Sequence, residues 1–337
     1  MRTAGMLDLQ VNGYAGVDFN DTALTPDALD HALHAMLHAG VTHCLPTLIT
    51  APEAELAARL QALDRAVRAS RLGPLMVLGI HLEGPFLNPA PGYAGCHPAA
   101  AMVAPDPALL ERVMVGIAAP LRLLTLAPER PASLPLISWA ARRGIVTAMG
   151  HTAADHATVC LAADAGLSLS THLGNALPQP QPKFLNPMIA QLAEDRLCAS
   201  FIADGIHVPP FALGVLLRAK GLERCVLVTD ATSAADTPPG IYRFAGMRIE
   251  HGADGSVREP GSAVLAGSAL RLDQAVRNVV AWGFAGAEQA VAMASTRPAA
   301  LLGDPPGVPS AVTWDAALTP REVAVGDVTI TNRQSAH

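Results

Sequence analysis

Four polar residues stand where the sequence otherwise runs apolar, and their types together suit hydrolytic chemistry: Glu83, His151, His172 and Asp230. Glu83 closes the run Gly79-Ile80-His81-Leu82, and His151 follows Met149-Gly150. His172 follows Ser170-Thr171, and Asp230 follows Val228-Thr229. A carboxylate or imidazole directly after a buried apolar segment is costly to desolvate unless it meets a cation or hydrogen-bonding groups. Alone, each would read as a loop carboxylate or a hydrogen-bonded core histidine. Two imidazoles and one carboxylate, however, make up the three-ligand set of a catalytic zinc, with a fourth position left for water. An ion so held lowers the pKa of that water towards ~7. Asp230 has the chemistry to take the water's proton and deliver it to a leaving amine.

Because these residues lie far apart in sequence, the elements that carry them must bring them together. Short apolar runs predict strands at Met6–Asn12, Val41–Pro46, Leu75–Leu82, Leu121–Leu126, Ile145–Gly150, Ser168–His172, Cys198–Ala203 and Cys225–Thr229. Ala/Leu-rich stretches between them predict helices at Pro26–Ala39, Pro52–Ser70, Pro107–Val115, Leu134–Arg143, Asp155–Ala165 and Pro210–Lys220. Proline opens and glycine closes two of these, Pro26 with Gly40 and Pro210 with Gly221. Near-continuous apolar strands alternating with helices imply a parallel sheet covered on both faces. Eight in regular succession favour closure into a (β/α)8 barrel over an open doubly wound sheet, since no GxGxxG follows the first strand. On a barrel, the four residues sit at C-terminal strand ends around one cavity. Pro- and Gly-rich stretches at Asn88–Pro98, Pro178–Pro187 and Thr237–Gly240 are the expected active-site loops.

The 337 residues fit one large barrel at 1–303, followed by a tail at 304–337 with a weak strand-like run, Val323–Thr331. The chain is 50% hydrophobic and 15% charged, enough for a large core and unlike a disordered segment. Aromatics make up only 4%, so packing rests on Ala, Leu and Val. A net charge of −6 without a basic block argues against nucleic-acid or anionic-membrane partners. No secretory signal or membrane-length apolar run is evident. Cys44, Cys96, Cys160, Cys198 and Cys225 lack CxxC spacing and read as reduced thiols in a cytoplasmic protein.

Longer segments resemble the N-acetylglucosamine-6-phosphate deacetylases of the amidohydrolase superfamily. The matching motifs run in family order: Leu7-Asp8-Leu9-Gln10-Val11-Asn12-Gly13, Gly16-Val17-Asp18-Phe19-Asn20-Asp21, His81-Leu82-Glu83-Gly84-Pro85-Phe86 and Gly95-Cys96-His97-Pro98. Leu126-Ala127-Pro128-Glu129, Gly150-His151-Thr152 and Thr171-His172-Leu173-Gly174-Asn175-Ala176 follow. The series closes with Ile202-Ala203-Asp204-Gly205-Ile206-His207, Val228-Thr229-Asp230-Ala231, Leu265-Ala266-Gly267-Ser268 and Ala294-Ser295-Thr296-Arg297-Pro298-Ala299. Coverage extends from about Met6 to Gly303. The resemblance implies a homodimeric enzyme that removes the acetyl group of an amino sugar, by default N-acetylglucosamine 6-phosphate. It assigns Glu83, His151 and His172 to one divalent ion such as zinc, and Asp230 to the general base that later acts as acid. His97 matches a residue that polarises the amide carbonyl, with a buried structural histidine as its other reading. His207 matches a substrate-contacting or supporting histidine, and Asn175 with Ala176 a backbone contact to the distal end of the substrate. Cys96 and Asp204 lie in substrate-binding motifs, and Leu265, Ala266 and Gly267 match a segment closing over the sugar.

Three departures qualify the match. Where the wider superfamily carries His-x-His on its first strand for a second ion, Gln10 and Asn12 imply a single ion supported by amides. Lys183, after Pro178-Gln179-Pro180-Gln181-Pro182, stands at the place of a phosphate-clamping arginine. It reads either as a point-charge phosphate ligand or as a solvated surface lysine, and it lacks the planar fork of arginine. That leaves two further readings: deacylation of an unphosphorylated N-acyl amine, and a non-catalytic sugar-binding relative. Finally, the chain begins almost at the first barrel strand, so the family's accessory β-sandwich is expected to be absent or rudimentary.

Overall fold

The chain closes eight parallel strands into a barrel. They are β1 (Met6–Val11), β2 (Val41–Ile49), β3 (Ile80–Glu83), β4 (Leu121–Leu126), β5 (Val146–Met149), β6 (Leu169–Ser170), β7 (Cys198–Ile202) and β8 (Cys225–Val228). Each pairs in parallel with the next. A parallel bridge between Val11 and Ala231 joins the two ends, with Asp230 N donating to Gln10 O at 2.9 Å and Asn12 N to Ala231 O at 2.7 Å. The computed structural model describes residues 1–303 and 308–332, so residues 304–307 and 333–337 of the expected tail lie outside the described residues.

The strands are buried on both faces: all nine residues of β2 and all six of β1 are inaccessible. Their cover is helical, and α1 (Pro26–His38) illustrates why. Pro26 opens it, the Thr25 hydroxyl accepts from Ala28 N, and Gly40 follows its end with φ 78°. Leu29, Ala32, Leu33, Met36 and Leu37 recur with helical period, so one face enters the core while His31 and His34 face solvent. The helix expected at Pro52–Ser70 forms over Glu53–Ala69, and that at Pro210–Lys220 over the whole interval.

Two elements differ from expectation. The run Leu75–Leu82 is not one strand: residues 73–76 turn as a short helix, and Gly79, at φ 152°, precedes the four-residue β3. A Cβ at Gly79 would lie 2.5 Å from Pro120 O, a close approach that requires glycine. Past Gly303, the run Val323–Thr331 is broken into a hairpin of Pro320–Val325 and Val328–Thr331. This hairpin joins Ser310–Trp314 and the N-terminal Arg2–Thr3 in a four-stranded antiparallel sheet, the rudimentary accessory layer. After β8 the chain also forms a three-stranded antiparallel sheet, Gly240–Phe244, Met247–His251 and Val257–Arg258. Its Phe244, Ile249 and Val257 pack on Ile49, Ala234 and Ala266 as a second small core. Among the described residues, no helix is long and apolar enough to cross a membrane.

Candidate active site at the mouth of the barrel

Glu83 ends β3, while His151, His172 and Asp230 each stand two residues beyond β5, β6 and β8. Those three take left-handed backbone, with φ of 52°, 32° and 49°. Such a conformation costs a non-glycine residue about 1–3 kcal/mol and clusters at functional sites. It turns each side chain off its strand and into the cavity. The surroundings hold these turns: His172 N donates to Ser200 Oγ at 2.8 Å, and Ser268 N donates to Asp230 O at 2.9 Å.

The side chains converge on Glu83, which is only 2% exposed. Its Oε1 lies 3.1 Å from His172 Nε2, 3.3 Å from His151 Nε2 and 3.1 Å from Gln10 Nε2. His97 Nε2 approaches Oε2 at 3.6 Å. Gln10 Nε2 also donates to Asp230 Oδ1 at 3.1 Å, and Asn12 Nδ2 donates to the same oxygen at 2.8 Å. One amide therefore spans the two carboxylates, and both amides leave Asp230 Oδ2 for another partner.

This donor set fits a divalent ion. Ligand atoms of Glu83, His97 and His151 all lie within 4.8 Å of one another, and His172 adds a further nitrogen. His151 Nδ1 donates to Tyr93 O at 2.7 Å, which fixes the tautomer and leaves the Nε2 lone pair facing Glu83. A lone pair facing a carboxylate oxygen requires a proton or a cation between them. His97 Nδ1 pairs with Thr50 Oγ1 at 3.0 Å, so its Nε2 is similarly directed. His97 is thus both a candidate polariser and a candidate ligand.

Burial and mutual charge set the protonation preferences. Burial alone would raise the Glu83 carboxyl, but hydrogen bonds from His151, His172 and His97 hold it well below its usual range. Burial, then repulsion from His151, lowers His97 to about 4. His172 is raised despite burial, because Glu83 and Asp230 favour its cation. Burial, reinforced by the Glu83 charge, lifts Asp230 to about 6. A bound cation would oppose that last rise.

The expected substrate residues are distributed unevenly. Asn175 donates through Nδ2 to His172 O at 2.9 Å, tying the Asn175–Ala176 turn to a candidate ligand. Asp204 grips His207 through Nδ1 at 2.6 Å and its backbone N at 2.9 Å, and both side chains are nearly buried. Ala266 N donates to Val257 O, and a Cβ at Gly267 would lie 2.9 Å from Asp230 O, so the 265–267 segment abuts Asp230. Cys96 is half-buried and packs against the small core beneath that segment. Lys183 is exposed in the Pro-rich loop, and among the described residues no hydrogen bond or ion pair joins its ammonium to the cluster. Tyr93, Thr50 and Ser200 escaped the sequence reading: a backbone carbonyl and two hydroxyls leave no distinctive pattern.

No protein-family model matches the chain. It is 36% identical over 298 residues to the N-acetylgalactosamine-6-phosphate deacetylase of Escherichia coli, covering 88% of this chain and 77% of the relative. It is 32% identical over 277 residues to the N-acetylglucosamine-6-phosphate deacetylase of Bacillus subtilis, covering 82% and 68%. Its fold is similar to that of the Mycobacterium smegmatis N-acetyl-D-glucosamine-6-phosphate deacetylase, solved as a mutant in complex with N-acetyl-D-glucosamine-6-phosphate. That likeness has a TM-score of 0.86 at 31% identity over 96% of this chain and 85% of the other.

Proposed function

The chain belongs to the N-acetylglucosamine-6-phosphate deacetylase family of the amidohydrolase superfamily, and from that premise we propose that it hydrolyses the acetamide of an N-acetylhexosamine 6-phosphate. The default substrate is N-acetylglucosamine 6-phosphate, giving glucosamine 6-phosphate and acetate; relatives named for the galacto epimer keep that sugar in the same test. The observation that carries this reading is the buried Glu83–His97–His151–His172 cluster with Asp230 held beside it by Gln10 and Asn12.

Glu83, His151 and His172 would hold one divalent ion, zinc by the nature of the donor set. When bound, that ion polarises the amide carbonyl and acidifies a water for attack. Asp230 accepts the water's proton and returns it to the departing amine nitrogen. Gln10 and Asn12 keep its Oδ1 occupied, so the proton travels through Oδ2. His97 supports the carbonyl oxygen as negative charge develops there. The amide side chains of Gln10 and Asn12 are poor ligands and serve as support for a single-ion site. His207, oriented by Asp204, together with Asn175, Ala176, Cys96 and the 265–267 segment, receives the sugar. Asp230→Asn is the direct test: acetate release is lost while the ion content stays that of the wild type. Retained turnover would remove Asp230 from the reaction.

Exposure of Lys183 favours a second reading, in which the same chemistry acts on an unphosphorylated N-acyl amine. Matched substrates with and without the 6-phosphate separate the two; a preference of about 10²-fold for phosphate excludes it. We also assign residues 1–303 to the catalytic barrel, apart from the Arg2–Thr3 strand that joins the accessory sheet, and 304–337 to an accessory tail. Exposed Phe184, Leu185 and Phe211 suit a homodimer contact, which sedimentation would test, and the free cysteines suit the cytoplasm.

A further inference from the structure

A second imidazole cluster lies at the opposite end of the barrel from Glu83. α1 ends at His38 just before β2 begins at Val41, so His38 is at the N-terminal face, whereas Glu83 closes the C-terminal end of β3. His34 and His38 are four residues apart on one helix, the spacing that places side chains side by side and that two zinc-binding histidines use on a helix. Their ring centroids are 4.8 Å apart, with planes inclined at 78°.

The surroundings orient the His38 ring and favour the neutral form of His34. Asn332 donates through Nδ2 to His38 O and Pro320 O, each at 2.9 Å, which fixes its amide orientation and leaves Oδ1 as an acceptor. His38 Nδ1 lies 2.5 Å from that Oδ1, so the ring donates there and keeps the Nε2 lone pair free. This is the supporting contact that metal-ligating histidines normally have. His34 stands in a shallow cavity of about 340 Å³ lined with Asp27, Asp30, His31, Arg71 and Leu72. Asp30 is already engaged, its two oxygens accepting from Arg71 N and Leu72 N. Desolvation, then the neighbouring His38, Arg71 and His31, favours neutral His34, the form that can ligate.

We propose that His34 and His38 form a bis-imidazole site for a borderline divalent ion such as Zn²⁺, Ni²⁺ or Cu²⁺, separate from the barrel mouth. Imidazole suits these ions. Among the described residues, no third His, Cys, Asp or Glu donor completes the pair, so water fills the remaining positions and the site is weaker than one with three protein ligands. Loading it also immobilises His38 and, through Asn332, the end of the C-terminal sheet.

The test titrates Ni²⁺ by calorimetry into protein already holding its mouth ion, comparing wild type, His34→Gln and His38→Gln. The wild type should take up one further equivalent, and each variant should bind it at least tenfold more weakly. Electron paramagnetic resonance with Cu²⁺ should show coupling to two imidazole nitrogens in the wild type and to fewer in either variant. His34 is exposed, so His34→Gln decides the matter even if the loss of the Asn332 contact unfolds the other variant. Equal uptake by wild type and His34→Gln, or no further uptake by the wild type, overturns the proposal. Neither readout depends on catalysis.

Discussion

The two ends of the barrel bury charge differently. At the mouth, Glu83 and Asp230 share the amide of Gln10, three imidazoles crowd Glu83, and His172 Nδ1 and Asn12 Oδ1 are buried without hydrogen-bond partners among the described residues. Three of the four chemical residues there take left-handed backbone. At the other end, the ammonium of Lys220 is wholly buried yet rests on the carbonyls of Gln191 and Glu194, at 3.0 and 2.7 Å, where helix Pro187–Ala193 ends. A cation suits the carbonyl-rich end of a helix, so this charge joins two helices without strain. The mouth has no such internal balance, and an ion with a substrate would complete it. Polar burial at the mouth therefore leaves donors and acceptors unmatched, whereas at the other end it links two helices.

Substitutions at each end should separate rate from stability. The largest effect belongs to Asp230→Asn, expected to lower kcat by about 10²- to 10⁴-fold with the denaturation midpoint little changed. Removing the Gln10 amide by Gln10→Ala should lower kcat by about tenfold, since it breaks charge-assisted bonds to both carboxylates. An unchanged kcat would show that this bridge is idle. Lys220→Met should reverse the pattern, costing about 1–3 kcal/mol in urea denaturation as two buried carbonyls lose their donor, with kcat preserved. Loss of turnover without loss of stability there would blur the division between the ends.

A smaller effect should come from Asp8, within β1 between the two ends. Burial lifts its carboxyl to about 7, against hydrogen bonds from Thr229 and Gln10 that lower it. The unfolded carboxyl titrates near 3.8, so the folded chain binds this proton more tightly. The stability it contributes is full below that value and is lost as pH rises towards about 7. Asp8→Asn should flatten the decline in melting temperature over that interval. An unaltered slope would assign the decline to other groups.

The convergence of Glu83, His151, His172 and Asp230 was legible because each ends an apolar strand run with a group too costly to bury idly, as Glu83 does after Ile80-His81-Leu82. The barrel was legible through the alternation of strand and helix, and α1 through Pro26 at its start and Gly40 past its end. Helix Pro187–Ala193 was hidden because it spans only seven residues beside a Pro-rich loop. The sheet beyond Gly240 was hidden because its short strands bury few residues, Phe244 and Ile249 among them. Arg2–Thr3 pairs with a strand some three hundred residues away, a partnership that no local pattern announces. Tyr93 enters the site through a backbone carbonyl, so its side-chain identity carried no signal.

The most direct measurement is acetate release from N-acetylglucosamine 6-phosphate and its unphosphorylated counterpart, with the bound ion quantified in the same preparation before any excess metal is added. Turnover of the phosphorylated sugar is expected, with about one tightly held divalent ion per chain. No acetate from either sugar or from other N-acyl amines, with that ion in place, would contradict it.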